Sequence, residues 1–468
     1  MGNSLKKTGK SFNMPHVFIV ILIIMLFISI LTYIMPSGNY TRVAVEGASM
    51  PVVDPASYTR VENTPVMPLR FFTSIYQGFV ESAGVIASVL LISGAIAVLQ
   101  STGTFEGGIQ KMMKSAKGRE LSIVIIFFTI FTFMGVIGYL DGLYSFYPIL
   151  ISIFLSIGYD RMVGTAVVML STAVGFTSGL VNIYTTGISQ QIVGLPLFSG
   201  IGFRAIGLVV FYIIAVFFLS QYCIKIKKDP TKSMMGEEYI KQKDEKVDIG
   251  APIPFTGKRI FTLALFVAVV AFSAFCSVNY GWGLPEITAM YFPLIIIAII
   301  IFKIKPGDAC KTFTNGMAAV VGPALVIGLS RAVTVLLNSG NIVDTFIKAM
   351  ADVLTGKSPV ITLLIIYLFI IIFDFFVSSG SGKAVMMMPI LSPLGQILGI
   401  NQQVLVLAYH YGDGIANTFW PSSSLVMLSL CGMDYGRWFK FAWKIYICIT
   451  VAAFALIVIA DKIGFGPF

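Results

Sequence analysis

Long apolar stretches separated by short polar segments dominate the chain. An apolar stretch of roughly 20 residues is long enough to cross the hydrocarbon core of a bilayer as a helix. We predict such spans at about residues 17–35, 79–99, 205–223, 260–278, 287–301, 319–337 and 441–460. The pattern therefore predicts an all-α polytopic membrane protein.

Four further apolar segments are interrupted by polar or glycine-rich residues. We interpret residues 121–157 and 361–398 as two opposed re-entrant hairpins, because each changes from apolar to polar and back. We interpret residues 162–193 and 404–430 as broken helices, the expected form of a binding element in a carrier. With the broken helices counted as spans, we predict about nine transmembrane helices.

The second hairpin has the most polar tip, from Val377 to Ala384. Exposed backbone at membrane depth is tolerated only beside protein or a water-filled cavity, so this tip is expected to line a substrate path. An ordinary turn between two spans is the alternative. A nucleotide phosphate-binding loop is excluded, because Val377 stands where that motif needs glycine and Ala384 where it needs Ser or Thr.

Most Lys and Arg residues lie in a few short loops, which are expected on the cytoplasmic side. This places inside the start of the chain (Lys6, Lys7 and Lys10), the loops at 103–120 and 303–311, the linker at 225–259 and the segment with Arg437 and Lys440. The loop at 36–70, the segment at 342–354 before the second hairpin, and the C-terminus are then outside. The linker separates a first half, residues 1–224, from a second half, residues 260–468. The net charge of +10 then reflects orientation in the inner (plasma) membrane and not binding of nucleic acid.

An internal repeat relates the two halves. Pro148-Ile149-Leu150 recurs as Pro389-Ile390-Leu391, about 240 residues later. The spans at 79–99 and 319–337 also resemble each other, and the basic loops direct them in opposite senses across the membrane. We therefore predict an inverted repeat and transport by alternating access.

Ionisable side chains inside apolar segments are candidates for function, because a charge at the bilayer centre costs about 2.5–3.5 kcal/mol. Asp141 and Lys383 lie at the two hairpin tips, and we expect them on opposite sides of one cavity. In the alternative, Asp374 or Asp413 neutralises Arg331 or Lys383 and only holds the hairpins in place.

Neutral polar residues at the tips and breaks complete the predicted site. The predicted substrate-binding residues are Asp141, Asn182, Ser379, Gly380, Ser381, Gly382, Lys383, Asp413, Asn417 and Thr418, with Arg331 and Asp374 as charge partners. The alternative role of the hydroxyl groups is to hold helices together. Sodium near Asn182 and Asn417, or a proton, is the expected coupling ion. The chain has only two histidines, so we predict no metal cofactor.

Several short motifs, taken in combination, are specific enough to indicate a family. They are Thr32-Tyr33-Ile34-Met35-Pro36-Ser37-Gly38, Phe146-Tyr147-Pro148-Ile149, Gly158-Tyr159-Asp160, Ser378-Ser379-Gly380-Ser381-Gly382, and Tyr411-Gly412-Asp413-Gly414 with Asn417. In these motifs the chain resembles the YfcC-type carriers, which are classified together with four-carbon dicarboxylate anaerobic carriers and predicted arginine/ornithine antiporters. The resemblance implies the ion-transporter superfamily fold, with scaffold spans supporting a mobile transport region, usually as a homodimer.

Departures from that family pattern bear on the substrate. Leu140 and Asp141 stand where the family tends to have paired glutamates, and Lys383 stands where an uncharged residue is usual. One acid fewer and one base more favour a dicarboxylate or related carboxylate, carried as an ion-coupled or exchanged substrate without covalent chemistry. The alternatives are an arginine/ornithine-type antiporter and, from other classes, a channel or an intramembrane enzyme that uses Asp141 or Asp413.

Overall fold

The computed structural model describes residues 17–43, 52–54, 56–105, 107–108, 111, 118–138, 140–244, 253–280, 282–354 and 356–466. Within these residues the protein is mostly helical, as predicted. The loop after the first helix adds four two-residue strands that the sequence did not suggest. Strands β1 (Gly38–Asn39) and β4 (Thr59–Arg60) pair antiparallel, as do β2 (Arg42–Val43) and β3 (Val52–Val53). The start of the chain and half of the predicted cytoplasmic loop at 103–120 lie outside the described residues.

In its described residues the first half contains three α-helices before the first predicted hairpin, then the hairpin, a broken helix and one long helix. Its α-helices are α1 (Val17–Ile34), α2 (Pro68–Glu81), α3 (Ala83–Ser101), α4 (Glu120–Val136), α5 (Tyr147–Ser156), α6 (Arg161–Ser178), α7 (Ile188–Ile192) and α8 (Ile201–Lys228). A 3₁₀ turn at Asp141–Phe146 joins α4 to α5, and a π turn at Ile183–Gly187 leads into α7.

The described part of the linker contains one short α-helix, and the other α-helices after it belong to the second half. The remaining α-helices are α9 (Glu237–Asp244), α10 (Gly257–Tyr280), α11 (Leu284–Ala289), α12 (Tyr291–Phe302), α13 (Pro306–Ala319), α14 (Val321–Ser339), α15 (Val343–Leu354), α16 (Pro359–Phe373), α17 (Gly380–Ile397), α18 (Gln402–Ala416), α19 (Pro421–Cys431) and α20 (Tyr435–Lys462). Linker residues 245–252 lie outside the described part.

Among the described residues, six helical segments are long and apolar enough to cross a membrane, and five shorter helices are also apolar. The predicted span at 79–99 is two helices, because α2 ends before Ser82 and α3 begins after it. Helices α13 and α14 meet in the same way at Val320. The number of nine transmembrane helices stays a prediction.

Three pairs of helices at corresponding places in the two halves have equal lengths. Helices α2 and α13 each have 14 residues, α3 and α14 each have 19, and α8 and α20 each have 28. A helix–turn–helix segment and then a broken helix follow in the same order in both halves. The order therefore recurs at the level of whole elements as well as in the short motifs.

Glycines let the first hairpin pack tightly against the first broken helix. Gly175 of α6 faces the carbonyl group of Thr132 in α4, and a Cβ at this position would collide with that carbonyl. Gly135 meets the carbonyl of Thr172 in the reverse direction. Helix α6 then ends at Gly179, whose φ of +65° is a left-handed conformation that glycine adopts without strain. This packing fixes the position of the break beside the hairpin.

Candidate functional site

A cavity of about 610 Å³ lies between the two hairpin turns and the second helix break. The first hairpin contributes Gly138, Leu140 and Tyr144, and the second contributes Ser378 to Ser381. This volume is in the range of sites that hold small organic molecules. Both predicted hairpin tips therefore face one cavity.

The N-terminal turn of α17 forms one wall of this cavity. The chain is extended at Ser379, whose side chain accepts a hydrogen bond from the backbone N–H of Gly382 at 3.2 Å and caps the helix. The first N–H groups of a helix have no partners within it, and the helix dipole is positive at this end. The wall is therefore suited to an anion.

The second break brings a second helix N-terminus to the same cavity. Helix α19 begins at Pro421, a residue favoured in the first turn because that position needs no N–H donor. Asn417, Thr418, Ser422 and Ser423 line the cavity around this turn. Two helix N-termini with several hydroxyl groups thus surround the same space.

One ion pair also lines the cavity. Arg331 Nε of α14 lies 2.8 Å from Glu81 Oε2 at the end of α2, and the two side chains are 40% and 32% exposed. In the alternative interpretation Asp374 or Asp413 neutralises Arg331 or Lys383; of these two cations, Arg331 pairs instead with Glu81. Sequence reasoning missed Glu81. Its only signal was an acidic residue at the edge of a predicted span.

Three of the other predicted charges form a separate buried cluster. The side chains of Asp374, Lys383 and Asp413 are fully buried. The Lys383 ammonium contacts Asp374 Oδ1 and lies 2.7 Å from Asp413 Oδ1. These three residues are not among those that line the cavity. Lys383 thus adopts the arrangement of the alternative interpretation, in which aspartates neutralise it.

The remaining predicted residues differ in their positions. Asn182 is buried within the first break, where its side-chain oxygen accepts a hydrogen bond from the Thr185 N–H at 3.3 Å, and it is not a lining residue. Gly382 lies behind the capping serine and is not a lining residue either. Asp141 begins the 3₁₀ turn between the lining residues Leu140 and Tyr144, and its side chain lies outside the described part of the structure.

A histidine joins the first break to the second broken helix. His410 of α18 shares a hydrogen bond of 2.8 Å with the hydroxyl group of Thr185. Its other ring nitrogen lies 2.7 Å from the carbonyl oxygen of Phe176. All three residues belong to the elements that flank the buried cluster and the cavity, so the two broken helices are held together at the level of the site.

Comparisons with known proteins agree with the motifs. The family model for the C4-dicarboxylate anaerobic carriers, DcuC, matches residues 14–462. An uncharacterised protein of Haemophilus influenzae is 28% identical over 97% of this chain and 98% of its own length. YfcC of Escherichia coli, named as a candidate basic amino acid antiporter, is 26% identical over 98% of each chain.

The chain is also similar to a solved structure, the antimetabolite efflux pump MtrF of Neisseria gonorrhoeae. The TM-score is 0.44 and the sequence identity 15%, over 97% of this chain and 96% of that one. The family match confirms the resemblance drawn from the motifs. The chain belongs to the C4-dicarboxylate anaerobic carrier family and is a membrane transporter.

Proposed function

We propose that this protein is a secondary active transporter of a small carboxylate-bearing anion, with a dicarboxylate favoured. The observation that carries the proposal is the convergence of two helix N-termini, those of α17 and α19, on one cavity beside Arg331. Backbone N–H groups, serine hydroxyls and a guanidinium are all hydrogen-bond donors, and a carboxylate only accepts.

The arrangement suits a substrate with two separated polar ends. One carboxylate binds at the N-terminal turn of α17, where Ser379, Gly380 and Ser381 line the cavity. A second acidic group binds Arg331, which must first loosen its contact with Glu81. Because Arg331 and Glu81 are both partly exposed, exchanging one partner for the other has a modest energetic cost.

Alternating access is supported by the repeated order of elements. The equal lengths of α2 and α13, α3 and α14, and α8 and α20 fit an inverted repeat with two opposed hairpins. In such carriers one repeat unit moves against the rest around a fixed site near the membrane midplane. Coupling to sodium near Asn182 and Asn417 or to a proton, or exchange, and assembly as a homodimer remain part of this proposal.

A basic amino acid antiporter is the second candidate, and Glu81 favours it. This carboxylate lines the cavity and is 32% exposed, so it could bind the cationic end of arginine or ornithine. In that case the substrate's own carboxylate still uses the helix N-termini. The two candidates therefore differ in whether Arg331 or Glu81 binds the far end of the substrate.

The test is thermal stabilisation of the purified protein by succinate, fumarate, glutamate, arginine and ornithine, each with and without sodium. A ligand that binds the native state raises the melting temperature by mass action. We expect stabilisation by dicarboxylates. We expect Arg331→Gln to raise the Kd for the dicarboxylate, obtained from the thermal shift at several ligand concentrations, at least about tenfold, because a charge-assisted hydrogen bond is worth about 1.5–3 kcal/mol.

Arg437→Gln is the matched control, since Arg437 also pairs with a partly exposed glutamate, Glu238, but does not line the cavity. It should leave ligand stabilisation unchanged. Stabilisation by arginine or ornithine that Glu81→Gln abolishes would favour the antiporter instead. Conductance that does not saturate in a planar bilayer would point to a channel.

A further inference from the structure

The cluster of Asp374, Lys383 and Asp413 contains an excess negative charge. All three side chains are fully buried, and one ammonium group faces two carboxylates. With every group ionised, the cluster carries one uncompensated negative charge. An unpaired charge buried away from water costs several kcal/mol, so such a group is neutralised in practice.

No second cation of the described residues lies within 4 Å of either carboxylate. The neighbouring ionisable groups are engaged elsewhere. The Tyr409 hydroxyl donates to the Gly380 carbonyl, the His410 ring bonds Thr185 and the Phe176 carbonyl, and Arg331 pairs with Glu81. Arg204 donates to Gln403 through Nη2, and its Nε and Nη1 have no hydrogen-bond partner among the described residues, but no Arg204 nitrogen lies within 4 Å of either carboxylate. Asp374 Oδ2 and Asp413 Oδ2 have no hydrogen-bond partner within the described part of the chain. Apart from Lys383, no described side chain therefore compensates the cluster by direct contact, and its free carboxylate oxygens are open to a cation from outside the polypeptide.

We propose that this cluster binds one exchangeable proton, shared between Asp374 and Asp413, and that the proton is transported together with the anionic substrate. The inference rests on the proposed function, because it names the coupling ion of that carrier. A proton suits the cluster because it joins a free carboxylate oxygen directly. A metal ion would have to share the space with the Lys383 ammonium, which already lies between the two carboxylates.

The cluster is next to the proposed anion site. Gly380 lines the cavity on one side and faces Asp413 on the other, where a Cβ on the glycine would lie 2.8 Å from Asp413 Oδ2. Ser422, another lining residue, donates its hydroxyl hydrogen bond to the Asp374 carbonyl at 3.2 Å. The charge state of the cluster therefore acts on the same helix N-terminus that would bind the carboxylate.

This proximity sets the direction of coupling. Without the proton, the negative cluster repels an anion bound at the N-terminus of α17. Once the proton is bound, the cluster is neutral and the anion binds more tightly, and by linkage the anion in turn strengthens proton binding. The proton and the anion enter together from one side and leave together on the other, which is symport.

The first test is pH-difference infrared spectroscopy of the purified protein, which needs no substrate. A protonated carboxyl group has a C=O band that the carboxylate lacks. Asp160 is another buried carboxyl that titrates, so the measurement is made in an Asp160→Asn background. In that background we expect one titrating buried carboxyl per chain, and we expect Asp413→Asn and Asp374→Asn each to abolish its band. Both variants leave one aspartate against Lys383, a neutral pair, so both should fold. Asp344→Asn is the matched control, since Asp344 is buried and pairs with Arg42, and the band should persist.

A band that is absent from the Asp160→Asn background, or that survives both further substitutions, overturns the proton site. Stabilisation by sodium chloride but not choline chloride, lost in Asp413→Asn, would show that a metal ion compensates the cluster instead.

The second test is succinate binding, measured by thermal shift across a pH series. The wild-type Kd should fall by up to about tenfold per unit decrease in pH, the slope for one linked proton, and Asp413→Asn should remove this dependence. A pH-independent wild-type Kd would overturn the coupling. If succinate does not bind at any pH, the proposed dicarboxylate substrate fails, while the infrared result still decides the proton site.

Discussion

Gly380 is the residue at which the cavity and the buried cluster come closest. It lines the cavity, and a Cβ at this position would lie 2.6 Å from Thr185 Cγ2 and 2.8 Å from Asp413 Oδ2. A methyl group there must push the N-terminus of α17 away from the π turn or from Asp413. The absence of a side chain is therefore what allows the tip to pack against both broken helices.

We expect Gly380→Ala to lower succinate uptake into proteoliposomes at least about tenfold, because inserting a methyl group into a packed site costs about 1–3 kcal/mol. Gly382→Ala is the matched control in the same helical turn, since its Cβ would come no closer than 3.1 Å to the Ser379 hydroxyl. It should retain most of the uptake. Equal uptake by the two variants would mean that the tip has room to move at Gly380.

At the scale of elements, the N-terminus of α6 is tied to α8 and to the linker through Asp160. One carboxylate oxygen accepts from the Val163 N–H at 3.0 Å and caps α6. The other accepts from the hydroxyl groups of Tyr222 in α8 and Ser233 in the linker, both at 2.5 Å. One buried carboxylate thus connects the first broken helix to the segment that joins the two halves.

Burial raises the pKa of Asp160 above its ordinary value of 3.8, although its hydrogen bonds from Ser233, Tyr222 and Val163 oppose the shift. The native state therefore binds this proton more tightly than the unfolded state does. As pH rises from 3.8 to the raised pKa, this carboxyl lowers the free energy of unfolding. Asp160→Asn does not titrate, so its melting temperature should lack that decline.

The measurement is the difference in melting temperature between wild type and Asp160→Asn across a pH series. Asp434→Asn is the matched control, because Asp434 caps α20 through the Arg437 N–H at 3.0 Å but is exposed. Its pH profile should have the wild-type shape. A difference between wild type and Asp160→Asn that stays constant with pH would contradict the role of burial at Asp160.

At the scale of the whole molecule, the order of elements could be predicted from sequence, but the partners of the charges could not. Glycine, proline and serine interrupt apolar runs through their own backbone preferences and polarity, which do not depend on distant contacts. The breaks near Gly179 and Pro421 are therefore visible in the sequence. The direction of a side chain depends on how helices pack. Lys383 lies in the cavity-facing first turn of α17 but turns toward Asp374 and Asp413. Spacing along the sequence does not contain that information.

Contacts between distant segments also sort the loops into two groups. Arg42 of the first loop pairs with Asp344 at the start of α15 at 3.0 Å. Glu238 of the linker pairs with Arg161 at 3.3 Å and with Arg437 at 3.4 Å. The distribution of basic residues predicts that the first group lies outside and the second inside. The contacts fit this assignment, because each pair joins segments that are predicted on the same side.

Cysteine labelling in whole cells tests the predicted orientation. Single cysteines are placed at Glu62 and Lys357, predicted outside, and at Lys232 and Lys303, predicted inside; all four side chains are exposed. The background is Cys310→Ser, which removes an exposed native cysteine. A membrane-impermeant maleimide should react with the first two in intact cells and with the other two only after permeabilisation.

The pattern of labelling separates two ways in which the prediction could fail. If positions 303 and 357 react from the same side, α13 and α14 do not carry the chain across the membrane as the inverted repeat requires. If all four positions react from the side opposite to the prediction, the repeat stands but the basic loops do not mark the cytoplasm. Native Cys310 lies in α13 beside Lys311, so in the unsubstituted chain it should react only after permeabilisation.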